Sequence, residues 1–179
     1  MPVYIVMLRG VNVSGHNIIK MEQLRVSFAA LGFSNVKTYV QSGNVVFEAA
    51  KDSAASLSRK IEQAILHDFG FSVPVFLTTS KRMEETIERN PFLKSSKIDH
   101  SKLHVTFLSK DPPGTALEQL EPLVARPEQF HIVGREIYLY CPRGYGNTRL
   151  SNTAIEKKLS VGATTRNWNT VNTLLAMAQ

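Results

Sequence analysis

The order of apolar segments along the first eighty residues constrains the fold of this chain more than any other feature. Val3–Leu8 is a continuous apolar run with β-branched residues, which is typical of a central strand. Apolar residues at helical spacing follow and end at Gly32, a residue suited to a left-handed helix cap. Two short strands, Val36–Gln41 and Asn44–Glu48, are then predicted around a two-residue turn at Ser42–Gly43.

A second helical segment begins at Asp52 or Ser53 and ends at Gly70, and Val73–Thr78 completes the series as a strand. The resulting order β-α-β-β-α-β is that of the split βαβ arrangement. Because crossover connections are right-handed, this order predicts antiparallel strands in the spatial order 4-1-3-2, with both helices on one face. We therefore predict an α+β protein whose N-terminal subdomain, residues 1–79, is ferredoxin-like.

Residues 80–179 are predicted to form a second α+β subdomain. A helix from Ser80 to about Asn90 precedes a strand at Leu103–Leu108, and Thr115–Glu118 has the pattern of a capping box. A hairpin around Gly134–Arg135 and two short helices, near 153–159 and 167–178, complete the chain. The element order resembles that of the first half, but the identity between the halves is too weak to establish a duplication.

Cysteine content and hydropathy exclude several classes of protein. A single cysteine, Cys141, cannot form an intramolecular disulfide or a four-cysteine zinc site, and the histidines show no metal-ligand spacing. The apolar N-terminus ends at Arg9 without the features of a secretory signal, and no apolar stretch approaches the ~18 residues that span a bilayer. We expect a cytoplasmic protein with no membrane partner, no metal and no cofactor, and with Cys141 as a buried, inert thiol.

The charge distribution allows an anionic partner. The chain has 21 basic and 15 acidic residues, a net charge of +6. The segment between Pro142 and Trp168 is the most basic, because Glu156 stands there against Arg143, Arg149, Lys157, Lys158 and Arg166. This asymmetry suits a small anionic molecule or a nucleic acid, and an ordinary solvated surface is the alternative.

Four segments contain glycine or asparagine and have a basic residue within them or nearby: Arg9–Asn17, Gln41–Asn44, Pro142–Ser151 and Thr164–Thr170. Glycine lets backbone N–H groups approach a ligand, asparagine donates and accepts hydrogen bonds, and arginine clamps phosphate or carboxylate. The fourth segment opens the last helix, whose N-terminus adds N–H groups and partial positive charge. The same residue types are ordinary in turns, so a structural role stays open for each loop.

Topology predicts which of these segments meet. In a split βαβ sheet the first two strands are parallel, so the loop after the first strand and the hairpin tip lie at one edge. We predict that both converge with the start of the last helix on one cleft. Thr164 or Thr165 is predicted to cap that helix, and Trp168 to be buried. The predicted ligand-binding residues are Arg9, Asn12, Asn17, Gln41, Ser42, Asn44, Arg166, Asn167 and Asn169.

The loop strings resemble those of the bacterial family called domain of unknown function 1697. The strings that carry the resemblance are R-G-V-N-V-S-G (9–15), K-M (20–21), L-G-F (31–33), T-Y-V-Q-S-G-N-V-V-F (38–47) and T-R-N-W-N-T-V (165–171). The resemblance implies an α+β protein with a ferredoxin-like first subdomain and implies no reaction. The family usually has a second glycine where this chain has Ser14, which disfavours a left-handed backbone there. The family's motif residues correspond here to Arg9, Gly10, Asn12, Gly15, Gln41, Ser42, Gly43, Asn44, Arg166, Asn167, Trp168, Asn169 and Thr170.

Three functional hypotheses follow from the residues. The first is a binding module for a phosphate-bearing ligand, small molecule or nucleic acid. The second is an enzyme that acts on an anionic substrate in the same cleft, although no residue pattern identifies a general base or a nucleophile. The third is a protein-interaction module that uses the sheet face opposite the helices. The sequence leaves open whether the chain is an enzyme, and it leaves the oligomeric state open.

Overall fold

Two four-stranded antiparallel sheets organise the computed structural model, which describes residues Met1–Gln179. The chain divides into two units, one of residues 1–84 and 173–179 and the other of residues 85–172. The sequence placed the boundary between Thr79 and Ser80 and put the whole C-terminal segment in the second part. The two divisions differ because the predicted boundary follows the end of the β-α-β-β-α-β series, whereas the units of the structure follow packing.

The first unit has the strand order that the sequence predicted. Its sheet has the order β2-β3-β1-β4, and every neighbouring pair is antiparallel. Its elements in chain order are β1 (Val3–Leu8), α1 (Met21–Ala30), β2 (Ser34–Tyr39), β3 (Asn44–Glu48), α2 (Ala54–Phe69) and β4 (Val75–Thr79).

Both helices of the first unit pack on one face of its sheet, as predicted. The buried cluster on that face joins alternate residues of β1 to one stripe of α1 and one of α2, namely Tyr4, Val6, Leu8, Leu24, Phe28, Leu57, Ile61 and Ile65. Gly32 and Gly70 have φ of +85° and +82°, the left-handed conformation expected where α1 and α2 end.

The hairpin between β2 and β3 differs from the predicted two-residue turn. Because β2 ends at Tyr39, its connection to β3 is Val40–Gly43. Val40 has φ of +50°, a strained conformation for a β-branched residue, and Gly43 has φ of +83°. Asn44 Nδ2 closes this loop by donating to the Tyr39 carbonyl at 2.9 Å and to Ser42 Oγ at 2.9 Å.

The second sheet has the order β6-β7-β5-β8, again antiparallel throughout. The remaining elements are α3 (Ser80–Glu88), β5 (Leu103–Leu108), α4 (Ala116–Leu120), β6 (Gln129–Val133), β7 (Glu136–Tyr140), α5 (Asn152–Leu159), β8 (Ala163–Asn167) and α6 (Trp168–Ala178). The sequence did not predict β8. Thr164 and Thr165 lie within this strand, so neither of them caps α6, and Asn167 does so instead. Thr115 makes no capping hydrogen bond at the start of α4, so the predicted capping box is absent.

The two series of elements have the same strand register. Adding 100 to β1 numbers and 92 to β3 numbers converts each β1–β3 pair into a β5–β7 pair; Tyr4–Phe47 becomes His104–Leu139. Adding 88 to β4 numbers converts each β1–β4 pair into a β5–β8 pair, so that Tyr4–Thr79 becomes His104–Asn167. We therefore call Val3–Glu88 the first repeat and Leu103–Ala178 the second repeat.

Hydrogen bonds outside the strands repeat with the same offsets. The Leu8 N–H donates to the Gly43 carbonyl at 2.8 Å, and the Leu108 N–H donates to the Arg135 carbonyl at 2.9 Å. The helix after the fourth strand is also capped in the same way in both repeats. Thr79 Oγ1 accepts from the Arg82 N–H at 3.2 Å, and Asn167 Oδ1 accepts from the Thr170 N–H at 2.8 Å. These matches indicate an internal duplication that residue identity did not reveal.

Candidate functional site

The first two predicted loops are in contact in the first unit. Asn12 Nδ2 donates to the backbone carbonyl of Gln41 at 2.7 Å, which joins the loop after β1 to the hairpin tip. Gly43 packs so closely on β1 that a Cβ at its position would lie 2.9 Å from Leu8 Cβ. The structure therefore brings Arg9, Asn12 and Asn17 to the same edge of the sheet as Gln41, Ser42 and Asn44.

The asparagine amides in these loops bond mainly to the protein backbone. Asn12 Oδ1 accepts from the Ile19 N–H at 2.9 Å, and Asn12 Nδ2 donates to the Ile19 carbonyl at 2.9 Å. Asn17 Nδ2 donates to the Gly10 carbonyl at 3.1 Å. Asn44 is fully buried and closes the hairpin loop. These contacts are those of side chains that hold a loop in place, and ligand binding by them stays a prediction.

Ser14 adopts the left-handed backbone that a serine disfavours. Its φ is +51° and that of Gly15 is +75°, and the His16 N–H donates to the Val13 carbonyl at 2.9 Å. Two consecutive positive φ values in a four-residue turn define type I′ geometry. Ser14 therefore adopts the same tight turn that the family's usual glycine at this position would allow.

Arg166 lies in β8 and not at the start of the last helix, where the sequence placed it, and it is only 7% exposed. Its guanidinium donates to Thr164 Oγ1 at 2.8 Å and to the Thr165 carbonyl at 2.9 Å. Burial lowers the pKa of Arg166 to about 10, which still leaves it a cation at neutral pH. Arg166 belongs to the second unit and Arg9 to the first, and the single cleft predicted for them stays a prediction.

A pocket of about 540 Å³ lies in the second unit, between the start of β5 and the start of α6. Two of the predicted ligand-binding residues, Asn167 and Asn169, line it, and Arg166 does not. The other lining residues were not predicted: His100, Ser101, His104, Trp168 and Asn172. Its volume falls within the range of about 300–1,000 Å³ that is typical of small-molecule sites.

His104 lies where the pocket meets the sheet. It pairs with Asn167 across β5 and β8, and its ring stacks on Tyr145 with ring centroids 4.9 Å apart. Removal of the ring from water lowers the pKa of His104 below its usual 6.5. The imidazole is therefore mainly neutral at pH 7, and it offers the pocket a hydrogen-bonding group without a fixed charge.

Polar contacts continue from His104 along the same face of the sheet. Thr106 Oγ1 and Thr165 Oγ1 share a hydrogen bond of 2.7 Å, and Thr165 Oγ1 also donates to Asn152 Oδ1 at 2.6 Å. Asn152 is the first residue of α5. This row of hydroxyl and amide groups ties β5, β8 and α5 together next to the pocket.

The wall of the pocket carries no negative charge. No carboxylate lines it, and the first turn of α6 contributes the positive end of a helix dipole. Asn172 Nδ2 donates to the Trp168 carbonyl at 2.8 Å, which holds that amide in the first turn. The adjacent carboxylate of Asp99 accepts from Ser101 N–H at 3.0 Å and Ser101 Oγ at 2.8 Å. These two hydrogen bonds from Ser101 stabilise the ionised carboxylate and so lower the pKa of Asp99.

A larger groove of about 740 Å³ lies between α1 and α2 in the first unit. Ser27 Oγ donates to Asp68 Oδ2 at 2.5 Å, and His67 Nδ1 lies 2.9 Å from Asp68 Oδ1. The hydrogen bond from Ser27 and that from His67 lower the pKa of Asp68. In a nucleophilic triad the histidine contacts the serine, whereas here both contact the carboxylate. This cluster therefore ties two helices together and does not activate Ser27.

The structure shows no reactive cysteine, no metal-binding cluster and no membrane-spanning helix. Cys141 is buried, and desolvation raises the pKa of its thiol to about 12, which keeps it protonated and unreactive. No cluster of three or more histidine, cysteine, aspartate or glutamate side chains is arranged to hold a metal ion. None of the helices combines the length and the apolar character that a membrane-spanning helix needs.

Comparison with known proteins supports the family resemblance of the loop strings. The family model described as "Protein of unknown function (DUF1697)" matches residues 1–138. The chain belongs to this family. The match ends before the string at 165–171, so the residues of β8 and α6 lie beyond it.

One solved structure of the same fold is described as that of "conserved bacterial protein SP0830 from Streptococcus pneumoniae". It is 23% identical to this chain, covers 99% of both chains and superposes with a TM-score of 0.76. No curated protein matches the chain. The comparisons therefore establish the α+β fold and the family, and the family description carries no activity.

The residues that the sequence missed share one cause. His100, Ser101 and His104 became pocket residues because β8 pairs with β5 and places Asn167 beside His104. Without β8, nothing in the sequence connected a histidine at the start of one strand with asparagines sixty residues later. The two β-branched threonines of β8 are the one sequence signal that could have indicated a strand there.

Proposed function

We propose that the second unit binds a small phosphate-bearing ligand in the pocket between β5 and α6. The observation that carries this proposal is the composition of the pocket wall, which joins two histidines, a serine and three asparagines with no carboxylate. Such a wall supplies hydrogen-bond donors to oxygen atoms and no negative charge to repel them.

The position of the pocket in the fold supports the same ligand class. The first turn of α6 lies in its wall, and backbone N–H groups at a helix N-terminus favour phosphate. Asn167 Oδ1 accepts from the Thr170 N–H at 2.8 Å, which fixes the Asn167 side chain at the start of this helix. The chain as a whole carries a net charge of +6, which favours the approach of anions.

With its single cysteine and no membrane-spanning helix, we expect the protein to act in the cytoplasm.

Calorimetric titration of the full chain with adenosine monophosphate, adenosine and inorganic phosphate tests this proposal. Two double variants are compared, one in the pocket and one at the equivalent positions of the other repeat. Asn169→Ala with Asn172→Ala alters the pocket, and Lys81→Ala with Glu84→Ala alters the equivalent positions of α3, found by subtracting 88. All four side chains are exposed, so both double variants are expected to fold.

We expect the monophosphate to bind and adenosine to bind at least tenfold more weakly, since the charged group carries the recognition. The Asn169/Asn172 variant should lose about tenfold in affinity for the monophosphate, and the Lys81/Glu84 variant should match the wild type. Equal affinity for adenosine and the monophosphate contradicts a phosphate site. Equal losses in the two variants contradict its placement in the second repeat.

A further inference from the structure

A basic surface follows β7 in the second unit. Arg143, Arg149, Lys157 and Lys158 are all exposed there, on the loop after β7 and on α5. The acidic residue of this stretch, Glu156, is half-buried, and its Oε2 accepts from the Ala163 N–H at 3.3 Å. The carboxylate therefore ties α5 to β8, while the four basic side chains extend into solvent.

Hydrogen bonds within the loop brace the segment that carries the two arginines. Asn147 Nδ2 donates to the Arg143 carbonyl at 2.7 Å, and the Leu150 N–H donates to Thr148 Oγ1 at 3.1 Å. Gly144 has φ of +93°, and its N–H donates to the Cys141 carbonyl at 2.9 Å. A loop that is already ordered loses little conformational entropy when its arginines contact a ligand.

Tyr145 links this surface to the pocket. It lies in the same loop, between Arg143 and Arg149, and its ring stacks on His104, which lines the pocket. The basic loop and the proposed phosphate site are therefore contiguous in the structure. A ligand with one phosphate would use only the pocket, whereas a ligand with several phosphates would also use the loop.

We infer that the phosphate-bearing ligand is a single-stranded nucleic acid, with one nucleotide in the pocket and its backbone crossing the Arg143–Arg149 loop. This inference rests on the proposed function, because it specifies which phosphate-bearing ligand the same pocket binds. A single strand is the form that fits, since a nucleotide inside a duplex is paired and stacked and cannot enter a pocket of this size. Positive grooves that follow the backbone of a single strand are the usual way in which such ligands are held.

Fluorescence anisotropy with a labelled single-stranded RNA and the matching DNA, of about twelve nucleotides, tests the inference. The full chain is titrated at several salt concentrations from about 50 to about 300 mM. One variant combines Arg143→Ala with Arg149→Ala. Its control combines Lys51→Ala with Arg59→Ala, two exposed basic residues of the first unit, and therefore removes the same charge elsewhere.

With about four phosphate contacts, log Kd should change with log salt by a slope of about 3, because each contact on a single strand contributes about 0.7. The Arg143/Arg149 variant should lower this slope by about 1.4 and weaken binding at low salt. It should keep wild-type affinity for adenosine monophosphate, since neither arginine lines the pocket. The Lys51/Arg59 control should retain the wild-type slope.

Two results overturn the inference and leave the proposed function in place. One is monophosphate binding without oligonucleotide binding at about 50 mM salt. The other is oligonucleotide binding that the two double variants weaken equally. A protein that binds neither the monophosphate nor the oligonucleotide contradicts both proposals. Preference for the RNA or the DNA identifies which nucleic acid is the ligand.

Discussion

The central strands of the two repeats have the same register and bury different chemistry. β1 presents Tyr4, Val6 and Leu8 to its helices, where Tyr4 and Phe47 stack with ring centroids 5.7 Å apart. The equivalent residues of β5 are His104, Thr106 and Leu108, of which only Leu108 joins the apolar cluster of the second unit. The same backbone thus carries an apolar face in one repeat and a partly polar face in the other.

The difference shows what polar side chains on a central strand of this fold require. A buried hydroxyl without a hydrogen bond is costly, and Thr106 avoids that cost because Thr165 and Asn152 provide a connected set of partners. Polar side chains at the central strand are therefore accepted where the neighbouring strand and helix also change. The second repeat has such a set of polar partners on the strand that carries His104, whereas the first repeat has an aromatic core at the equivalent place.

The largest effects are expected from truncation of equivalent core residues. Phe47 and Leu139 occupy the same register position and are fully buried. Phe47→Ala should lower the free energy of unfolding by about 3–5 kcal/mol and Leu139→Ala by about 2–5 kcal/mol, because each leaves a cavity. Urea denaturation followed by circular dichroism measures both. A negligible cost for Leu139→Ala would show that the second sheet does not have the core described above.

Alanine substitutions at the two hairpin tips should have unequal effects on stability. Gly43→Ala should cost about 2–4 kcal/mol, because it combines a left-handed φ with a Cβ 2.9 Å from Leu8 Cβ. The equivalent residue in the second repeat is Arg135, whose contact with Asp111 at 3.0 Å is solvent-exposed. Arg135→Ala should change stability by less than about 0.5 kcal/mol. Thermal denaturation compares them, and similar costs would contradict the asymmetry of the two turns.

The helix caps should respond equally in stability and unequally in binding. Thr79 and Asn167 make the same capping bond, to the Arg82 and Thr170 N–H groups respectively. Alanine at either position should cost about 1 kcal/mol. Only Asn167→Ala should also weaken binding of adenosine monophosphate, since Asn167 lines the pocket. If Thr79→Ala weakened binding as much, the site would not be confined to the second repeat.

The smallest effect concerns the titration of His104. The pKa of His104 is lowered in the folded protein, so below about pH 6.5 the unfolded chain binds a proton that the folded chain resists. Stability should therefore fall as the pH drops through this range. His104→Tyr, which installs the residue of the first repeat, should reduce that loss. The melting temperatures of both proteins at about pH 7.5 and about pH 5.5 provide the comparison, and parallel pH profiles would refute the assignment to His104.

The first repeat was predictable because its elements have clear apolar periodicity. The runs around Val3–Leu8 and Asn44–Glu48 are apolar enough to identify as strands, and Gly32 and Gly70 mark where the helices end. The strand order then follows from the rules of chain connection. The loop contacts between Asn12 and Gln41 were predictable from the same topology, without any motif match.

The second repeat was less predictable because polarity hides its last strand. Ala163–Asn167 has a single apolar residue, so no alternation marks it, and pairing with β5 stabilises it instead. The sequence assigned Arg166 to the start of the last helix, and not to a strand, for the same reason. Recognition of the pocket required the pairing of β8 with β5. Recognition of the duplication required it too, because the two repeats share strand register and little residue identity.

The most direct test of a phosphate site in the second unit is a two-dimensional amide NMR titration of the full chain with adenosine monophosphate. A phosphate site in the second unit predicts chemical-shift changes concentrated at residues 100–104 and 167–172, the two segments that form the pocket wall. The equivalent residues 79–84 of the first repeat should not shift. Changes confined to the loops at Arg9–Asn17 and Gln41–Asn44, or no changes at saturating ligand, would contradict a phosphate site in the second repeat.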